Sequence, residues 1–461
     1  MIISFLICLS IIAFIGISSY KYSKPNAKDY YLASQSLNPW LAGLSAMATN
    51  NSGYMFIGLI GFTYTVGLSS IWLMVGWILG DFLISKFIHQ KINEQTKKTK
   101  KHTYASVLGA WSNQKDNLTK FIALVSLIFL IVYASAQFVS GGKTLVAIFN
   151  WELTTGIFIG SMIVLAYTLV GGIRASIWTD AMQAFIMIFS MLSLVVIGLI
   201  AVGGLFSAIN QWNEIPGFLE WYPSSINNTF EKIIYPLSWL IAGIFIIGQP
   251  HIMVRFMALK KSSLINKARF HYYFWYTFFY FLAFSVGMLS RILINNYSGF
   301  DPELALPLIA VDLLNPFVVG IVIAGIFAAT MSTADSLIIN CSGNISQDLL
   351  NKKKLSSFQI KMMTLLVALA SILISLFNND SVFLIVVYAW TLLGISFAPL
   401  IIVLASECTI SFKDFLIGLL IGYLTLYVVN HYSINNLIYS GFIPFCTNLF
   451  YLWLKRTQIK I

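Results

Sequence analysis

Residues 46–53 (AMATNNSG) place three consecutive polar side chains, from Asn50 to Ser52, and a glycine inside an otherwise apolar stretch that runs from about residue 38 to residue 63. That stretch is long enough to cross a bilayer, which takes roughly 20 mostly apolar residues. Polar groups at mid-membrane depth are costly and usually functional. Because a broken helix frees backbone carbonyls, the octapeptide predicts a discontinuous membrane helix that can hold a cation.

A second polar stretch, AATMSTADS, lies in another long apolar segment and ends at Ser336. Helical spacing places Ala329, Ser332 and Thr333 on one face. Ser332 shares an adjoining face with Asp335 and Ser336. Hydroxyl, carbonyl and carboxylate oxygens suit a hard cation and do not suit a thiophilic transition metal. The alternative for either stretch is hydrogen bonding between helices by small polar residues.

The composition around these stretches is that of a membrane protein. Hydrophobic residues make up 58% of the chain, charged residues 10%, and the mean hydropathy is +0.81, whereas soluble domains have roughly 25% charged residues. We predict an all-α membrane protein with one integral membrane domain over residues 1–461. Apolar runs predict about thirteen spans, near residues 2–19, 38–63, 69–88, 118–148, 153–170, 178–203, 233–250, 272–295, 306–345, 357–377, 382–405, 412–430 and 437–454.

The net charge of +11 is explained by topology. Basic residues follow spans one, three, seven and nine and close the chain, whereas only Lys143, Lys232 and Arg291 fall on the opposite side. Cytoplasmic loops carry such an excess of Lys and Arg. We therefore expect no nucleic-acid partner, an extracellular N-terminus, a cytoplasmic C-terminus and a bacterial plasma membrane.

The four cysteines are isolated and predict no disulfide frame or zinc site.

Three other features have two interpretations each. Asp180, near the start of span six, is either a first-turn carboxylate facing the helix dipole or part of a second cation site. The sequence GQPH at residues 248–251 marks either a second broken helix or a simple helix terminus. Asp81 and Asp312 are interpreted as charges at the membrane interface, either in an ion pair or at a helix end.

Four segments together resemble the sodium:solute symporter family, most closely its sodium/proline symporter branch. They are Tyr30 to Gly61 (YYLASQSLNPWLAGLSAMATNNSGYMFIGLIG), Tyr167 to Gln183 (YTLVGGIRASIWTDAMQ), Gly248 to Met257 (GQPHIMVRFM) and Ala328 to Leu350 (AATMSTADSLIINCSGNISQDLL). The resemblance implies a LeuT-type fold with two inverted repeats, at about 38–203 and 233–405. Peripheral helices would then occupy 2–19, 412–430 and 437–454.

The resemblance also implies a binding site for Na+ and no transition metal. The sodium ligands would be the carbonyls of Ala48, Asn51 and Ala329 with the hydroxyls of Ser332 and Thr333. Asp180 would be important for sodium, and a second cation would involve Asp180, Asp335 and Ser336.

The chain departs from the proline branch where the solute would bind. Asn50 replaces a typical Asp, Tyr54 replaces a usual Trp, and Ala242 and Ile246 stand where that branch carries aromatic residues. The predicted solute contacts are Asn50, Ser52, Gly53, Tyr54, Ala242, Ile246 and Gln249. The cargo is thus expected to be an amino acid such as proline, or another small carboxylate-bearing solute.

Together these features predict sodium-coupled symport of a small solute by alternating access. No nucleophile, base or metal-ligand constellation is visible, so we expect no enzymatic activity. A sensor or receptor on the same fold, signalling through a separate partner, is the alternative from another class. A channel is disfavoured because no repeated filter sequence occurs.

Overall fold

The computed structural model describes residues 1–22, 24, 26–168, 172–226, 228–294, 300–350, 355–377, 381–431 and 439–458. A few predicted features lie outside the described residues. They are positions 169–170 of the fifth predicted span, position 171 of the segment Tyr167 to Gln183, position 295 of the eighth predicted span, positions 437–438 of the last one, and the basic residues Lys352, Lys353, Lys354 and Lys460.

Helices form nearly all of the described chain. Those of the first half are α1 Ile2–Ser19, α2 Ala27–Leu32, α3 Pro39–Asn50, α4 Leu59–Val66, α5 Ile71–Thr99, α6 Tyr104–Trp111, α7 Lys115–Phe149, α8 Leu153–Thr168, α9 Ile173–Ala201 and α10 Leu205–Asn213. Those of the second half are α11 Thr229–Ile244, α12 Pro250–Met257, α13 Ile265–Leu293, α14 Ala305–Leu313, α15 Pro316–Gly343, α16 Ser357–Phe377, α17 Val382–Ala405, α18 Phe412–His431 and α19 Phe442–Lys455.

Short elements join these helices. Tyr54–Gly58 and Asn344–Leu349 are π-helical, and Phe245–Gly248 is a 3-10 turn. Strands β1 (Cys408–Thr409) and β2 (Thr457–Gln458) form one small antiparallel pair. Within the described residues, ten helical segments are long and apolar enough to cross a membrane, and α8 contributes a shorter apolar helix.

Two of the predicted span boundaries are wrong. The ninth span does not start at residue 306, because α14 ends at Leu313 and α15 begins separately at Pro316. Pro316 occupies the first turn of α15, where its missing N–H costs nothing, and the Asn315 side chain caps that turn. The third span extends to Thr99 rather than residue 88. The polar final turns of α5 are fixed to the rest of the protein because the Asn93 side chain donates a hydrogen bond to the Phe256 carbonyl, at 2.7 Å.

Helix α5 packs directly on helix α11 through small residues. A Cβ atom added at Gly80 would lie 2.0 Å from the Leu240 carbonyl oxygen, and one at Gly243 would lie 2.2 Å from the Trp77 carbonyl oxygen. Small residues spaced by four let membrane helices approach to backbone contact, and Gly76 and Gly80 have this spacing. The contact brings the backbone of Asp81 next to α11.

The end of the bundle at which α5 and α17 finish is rich in basic residues, and we call it the basic end. Here Lys97 Nζ donates to the Lys260 carbonyl at 3.0 Å, and Arg174 pairs with Asp29 at 2.5 Å. Burial alone would raise the pKa of Asp29. Hydrogen bonds from Arg174, Ser34 and the Lys24 amide outweigh burial and hold that pKa below its usual value.

The opposite end, which we call the acidic end, is tied together by Glu303. Lys143 Nζ lies 2.6 Å from a Glu303 carboxylate oxygen and 2.8 Å from one of Asp301. Glu303 also accepts hydrogen bonds from the amides of Val382 and Phe383, at 3.0 and 2.9 Å. A carboxylate at the start of a helix satisfies its free N–H groups and its dipole. Glu303 therefore joins α7, the turn before α14 and the start of α17.

Candidate functional site

The first broken helix lies where the octapeptide predicts it. Helix α3 ends at Asn50, the chain leaves helical geometry at Asn51 and Ser52, and a π-helical turn begins at Tyr54. The last carbonyls of a helix have no partner within the helix. Asn51 is fully buried, and neither polar atom of its side chain has a hydrogen-bond partner within the described residues. The break thus presents polar atoms that are available to a ligand.

Gly53 allows two other helices to approach the break. A Cβ atom at this position would lie 2.3 Å from Ser140 Oγ of α7 and 2.8 Å from Thr330 Cγ2 of α15. The Gly53 amide donates to Gln137 Oε1 of α7 at 2.9 Å. Any larger residue would push α7 and α15 away.

Helix α15 meets α3 at the break. Thr333 Oγ1 donates to the Thr49 carbonyl oxygen at 2.9 Å, across 284 residues of sequence. The five residues predicted to bind sodium are all fully buried: Ala48, Asn51, Ala329, Ser332 and Thr333. The two polar stretches therefore lie together inside the protein, and the segments that carry them do not face lipid there.

Asp180 lies beside this contact. It is the eighth residue of α9, past the first turn, and is fully buried. One carboxylate oxygen accepts from Ser332 Oγ at 2.7 Å and the other from Ser45 Oγ at 2.5 Å. The helix-dipole interpretation therefore does not fit, and Asp180 links α9 to both α3 and α15.

A buried arginine occupies the same cluster. Arg255 of α12 has no exposed side-chain surface, and its Nη2 lies 3.3 Å from Asp180 Oδ2. It also donates to Ser176 at 3.2 Å and to Ser336. Asp335 completes the cluster, since its Oδ1 accepts from the hydroxyls of Ser176 and Ser336, each at 3.1 Å. The guanidinium thus pairs with Asp180 and is linked to Asp335 through the hydroxyls of Ser176 and Ser336.

The sequence around Gln249 forms a second broken helix. Helix α11 is followed by a 3-10 turn, Gln249 adopts an extended backbone (φ −99°, ψ 98°), and α12 begins at Pro250. The second interpretation of residues 248–251, a simple helix terminus, is therefore wrong. Arg255 was missed as a site residue because a basic residue near a helix end is usually a cap. Its place on the second half of a broken helix was the available signal.

The predicted solute contacts lie around the two breaks. Gln249 Nε2 donates to the Trp390 carbonyl at 3.1 Å, and Trp390 Nε1 donates to the Ala242 carbonyl at 2.8 Å. Ile246 is fully buried in the turn between them. The Tyr54 ring stacks on Phe383 at a centroid distance of 5.5 Å. An aromatic layer therefore lies between the break in α3 and the acidic end.

Sequence reasoning missed the contribution of α7. Gln137 contacts the break directly, and the ring of Tyr133 meets the ring of His251 edge to face at 5.3 Å. His251 is fully buried, and neither ring nitrogen has a hydrogen-bond partner within the described residues. Gln137 and Ser140 stand one turn apart in a long apolar segment, and that spacing was the signal that could have identified them.

Asp81 was placed wrongly. It lies inside α5 rather than at a helix end and is fully buried within the protein, and its carboxylate accepts from the neutral hydroxyls of Tyr272 and Tyr273 at 2.6 and 2.7 Å. Tyr272 in turn accepts from Asn50 Nδ2 at 2.7 Å. Asp312, by contrast, is exposed on α14.

Comparison with known proteins identifies the family. The model of the sodium:solute symporter family matches residues 30–409. The chain belongs to the sodium:solute symporter family. Curated relatives named sodium/proline symporter, from several strains of Staphylococcus aureus, are 30% identical over 410 residues, which cover 85% of this chain and 78% of theirs.

Solved structures show that this symporter has the LeuT-type fold. A Na+-coupled sialic acid symporter in a substrate-bound outward-open state matches with a TM-score of 0.82 at 17% identity, over 99% of this chain and 98% of the other. MhsT in complex with L-phenylalanine matches with a TM-score of 0.58 at 15% identity, over 91% and 99%. The predicted LeuT-type fold is confirmed, whereas the predicted count of about thirteen spans is not.

Family membership also confirms three broader predictions. The protein is an integral membrane protein, a secondary transporter rather than an enzyme, and Na+ is its coupling ion. Sodium and a small solute are therefore its partners.

Proposed function

We propose that this symporter carries a small amino acid, with proline as the first candidate, together with sodium by alternating access. The observation that carries the proposal is the buried contact between the break in α3 and helix α15, made by the Thr333 hydroxyl and the Thr49 carbonyl at 2.9 Å. Oxygen atoms that converge in this way can replace the water shell of a hard cation. The Staphylococcus aureus relatives named sodium/proline symporter support the cargo.

The sodium ion in this proposal binds the carbonyls of Ala48, Asn51 and Ala329 and the hydroxyls of Ser332 and Thr333. Ser332 and Thr333 direct their protons to Asp180 and to the Thr49 carbonyl. A hydroxyl that donates elsewhere still has lone pairs for a cation. The two hydroxyls could therefore bind sodium while keeping these hydrogen bonds.

A second cation, or a coupling proton, would bind at Asp180, Asp335 and Ser336. One guanidinium, that of Arg255, lies in this cluster; it is in ion-pair contact with Asp180 and reaches Asp335 through the Ser176 and Ser336 hydroxyls. When both acids are ionised, the cluster carries one uncompensated negative charge, and a buried unpaired charge is strongly unfavourable. A cation next to Asp335 would remove that cost.

The solute would bind between the two breaks, at Asn50, Ser52, Gly53, Tyr54, Ala242, Ile246 and Gln249. Gln249 Oε1 is buried without a hydrogen-bond partner within the described residues, which leaves an acceptor for a donor group such as an amine. Another small carboxylate-bearing solute remains the second candidate, because Asn50, Ala242 and Ile246 depart from the proline branch.

In the proposed architecture residues 1–461 form one domain, with a first repeat at about 38–203, a second at about 233–405, and peripheral helices at 2–19, 412–430 and 437–454. The two broken helices, one early in each repeat, support this division. The basic end would face the cytoplasm of a bacterium, which places the N-terminus outside and the C-terminus inside.

Uptake into proteoliposomes tests the coupling and the cargo. A panel of labelled amino acids that includes L-proline is supplied with and without an inward sodium gradient, at fixed pH and membrane potential. We expect accumulation of at least one of them only with the gradient. Accumulation that is indifferent to sodium would remove the coupling proposal, and uptake of other solutes but not proline would remove proline as cargo.

Ser332→Ala and Thr333→Ala test the sodium ligands. Loss of one hydroxyl ligand should raise the sodium concentration that half-saturates uptake by about tenfold, since 1.4 kcal/mol corresponds to a factor of ten. Ser371→Ala is the control, because the buried Ser371 hydroxyl donates only to the Val367 carbonyl of its own helix, at 3.1 Å. Unchanged sodium activation in both site variants would count against the proposed ligands.

A further inference from the structure

Asp81 is a buried acid that the proposed sodium and solute sites do not use. It lies in the middle of α5 with no exposed surface, one turn from Trp77 and in backbone contact with Gly243 of α11, since a Cβ atom on Gly243 would lie 2.8 Å from the Asp81 amide nitrogen. An intramembrane acid is by default a functional group, because the membrane interior penalises its charge.

No cation balances this acid directly. Within the described residues, no Lys, Arg or His nitrogen lies within 4.0 Å of the Asp81 carboxylate. Its two oxygens accept only from neutral phenols, those of Tyr272 and Tyr273. An ionised carboxylate in this position is therefore stabilised by two hydrogen bonds but is not paired with a cation.

The charged and titratable groups around Asp81 come from three helices. Helix α13 presents Arg269, Tyr272, Tyr273 and Tyr276 to Asp81. Helix α5 itself carries His89 two turns further on, and helix α12, which also packs on α5, carries His251 and Arg255. Helix α11 presents Leu240 and Gly243 there. Arg269 reaches Asp81 only through intermediates, since its Nε donates to Ser85 Oγ at 3.2 Å and Ser85 lies 2.5 Å from the Tyr273 hydroxyl.

One of the phenols connects Asp81 to the break in α3. Tyr272 donates to Asp81 and accepts from Asn50 Nδ2, at 2.6 and 2.7 Å. Asn50 is the last helical residue before the break and directly precedes Asn51. A change in the protonation of Asp81 can therefore reach the candidate solute site through the hydroxyl group of Tyr272.

We propose that Asp81 is a proton-binding site of this symporter, taking up a proton when the helices close around the solute and releasing it when they open. The inference rests on the proposed solute site for its coupling partner. Closing buries the carboxylate among neutral groups, which favours the protonated form. Opening returns it to water, which favours the ionised form.

The proton also reverses the hydrogen bonds toward Asn50. With Asp81 ionised, Tyr272 donates to the carboxylate and accepts from the Asn50 amide. With Asp81 protonated, the carboxyl group donates to the Tyr272 oxygen, and the phenol proton turns toward the Asn50 side chain or the solute. An oxygen to oxygen distance of 2.6 Å suits either direction. Asp81 takes up one proton from water on closing and returns it to water on opening, and no other covalent bond is formed or broken.

Infrared spectroscopy of the purified protein in sodium buffer tests the proton site without knowledge of the cargo. As the pH is lowered from mildly alkaline to mildly acidic, the wild type should gain a carboxylic acid C=O band that Asp81→Asn lacks. Asp312→Asn, which removes an exposed acid, should keep that band. A wild type and an Asp81→Asn variant with the same carboxylic acid bands at every pH would overturn the proposal, whatever the cargo is.

Uptake of labelled L-proline at saturating sodium tests the coupling. In the wild type the half-saturating proline concentration should fall as the pH falls, by up to about tenfold per pH unit, since one proton is linked to binding. Asp81→Asn, which resembles the protonated form, should show high affinity at every pH. Tyr272→Phe should keep the infrared band and show a weaker pH dependence of affinity, because the route through its hydroxyl is lost while the burial of Asp81 on closing remains.

The two measurements separate the two proposals. Wild-type protein that takes up no proline at any pH removes proline as cargo, and the infrared result then decides the proton site alone. Proline affinity that varies with pH equally in the wild type and in Asp81→Asn would overturn the role of Asp81.

Discussion

Arg255→Met should lower the free energy of unfolding by about 3–5 kcal/mol, because removing one partner of a buried ion pair leaves the other charge unpaired. The guanidinium has no exposed surface and contacts Asp180, Ser176 and Ser336. Without it, two buried carboxyl groups would lie next to each other with only hydroxyl donors. Chemical denaturation in detergent micelles, followed by tryptophan fluorescence, measures the loss.

A double variant tests whether lost charge, rather than lost packing, explains the lower stability of Arg255→Met. Arg255→Met combined with Asp180→Asn should be more stable than Arg255→Met alone, because it removes one of the uncompensated acids. Sodium should stabilise Arg255→Met more than the wild type, since a free cation can take the place of the guanidinium. If the single and double variants were equally unstable, lost packing rather than lost charge would be the cause.

Gly80→Ala should prevent α5 and α11 from packing and should reduce both folded protein and uptake. The added methyl group would lie 2.0 Å from the Leu240 carbonyl oxygen and 2.9 Å from the Ile244 amide nitrogen. These are backbone atoms of a neighbouring helix, so the helices must separate. Overpacking typically costs about 1–3 kcal/mol, and we expect the upper end of that range. Thermal unfolding in detergent measures it.

Gly141→Ala is the matched control for Gly80→Ala. It also lies within a membrane helix, but its added methyl group would meet only the Phe327 ring at 3.7 Å, an ordinary contact. Replacing a helical glycine by alanine stabilises the helix by roughly 0.5–1 kcal/mol when space permits. The two variants should therefore change stability in opposite directions. A decrease of similar size in both would show that the Gly80 contact is not special.

The arrangement of the polar cluster has a consequence for coupling. Asp180 receives hydrogen bonds from Ser45 of α3 and Ser332 of α15, and it pairs with Arg255 of α12. Both broken helices and the helix with the candidate sodium hydroxyls thus meet at one carboxylate. Ligands can shift a conformational equilibrium only by their different affinity for its states. A cation that binds here would favour the arrangement in which these helices are together.

Particular residues show how far the sequence could predict the site. The interruption at Asn51 and Ser52 was predictable, because polar residues and a glycine in an apolar run are a local signal. The approach of the two polar stretches near Ala48 and Thr333 was expected from the family resemblance, whereas the particular hydrogen bond from Thr333 to the Thr49 carbonyl was not predicted. The role of Arg255 was missed, because its two carboxyl neighbours lie on other helices. Asp81 was misplaced for a related reason, since depth estimated from span boundaries ignored the extension of α5 to Thr99.

By itself, the sequence determined a helical membrane protein with interrupted helices, because hydropathy and helix breaking depend on neighbours in the chain. Its motifs also pointed to a family of sodium-coupled symporters. Only the tertiary structure decided which side chains form hydrogen bonds or ion pairs with one another. Asp180 and Arg255 are 75 residues apart, and Asp81 and Tyr272 are 191 apart. Such pairs depend on how each helix is rotated about its axis, and packing between helices sets that rotation.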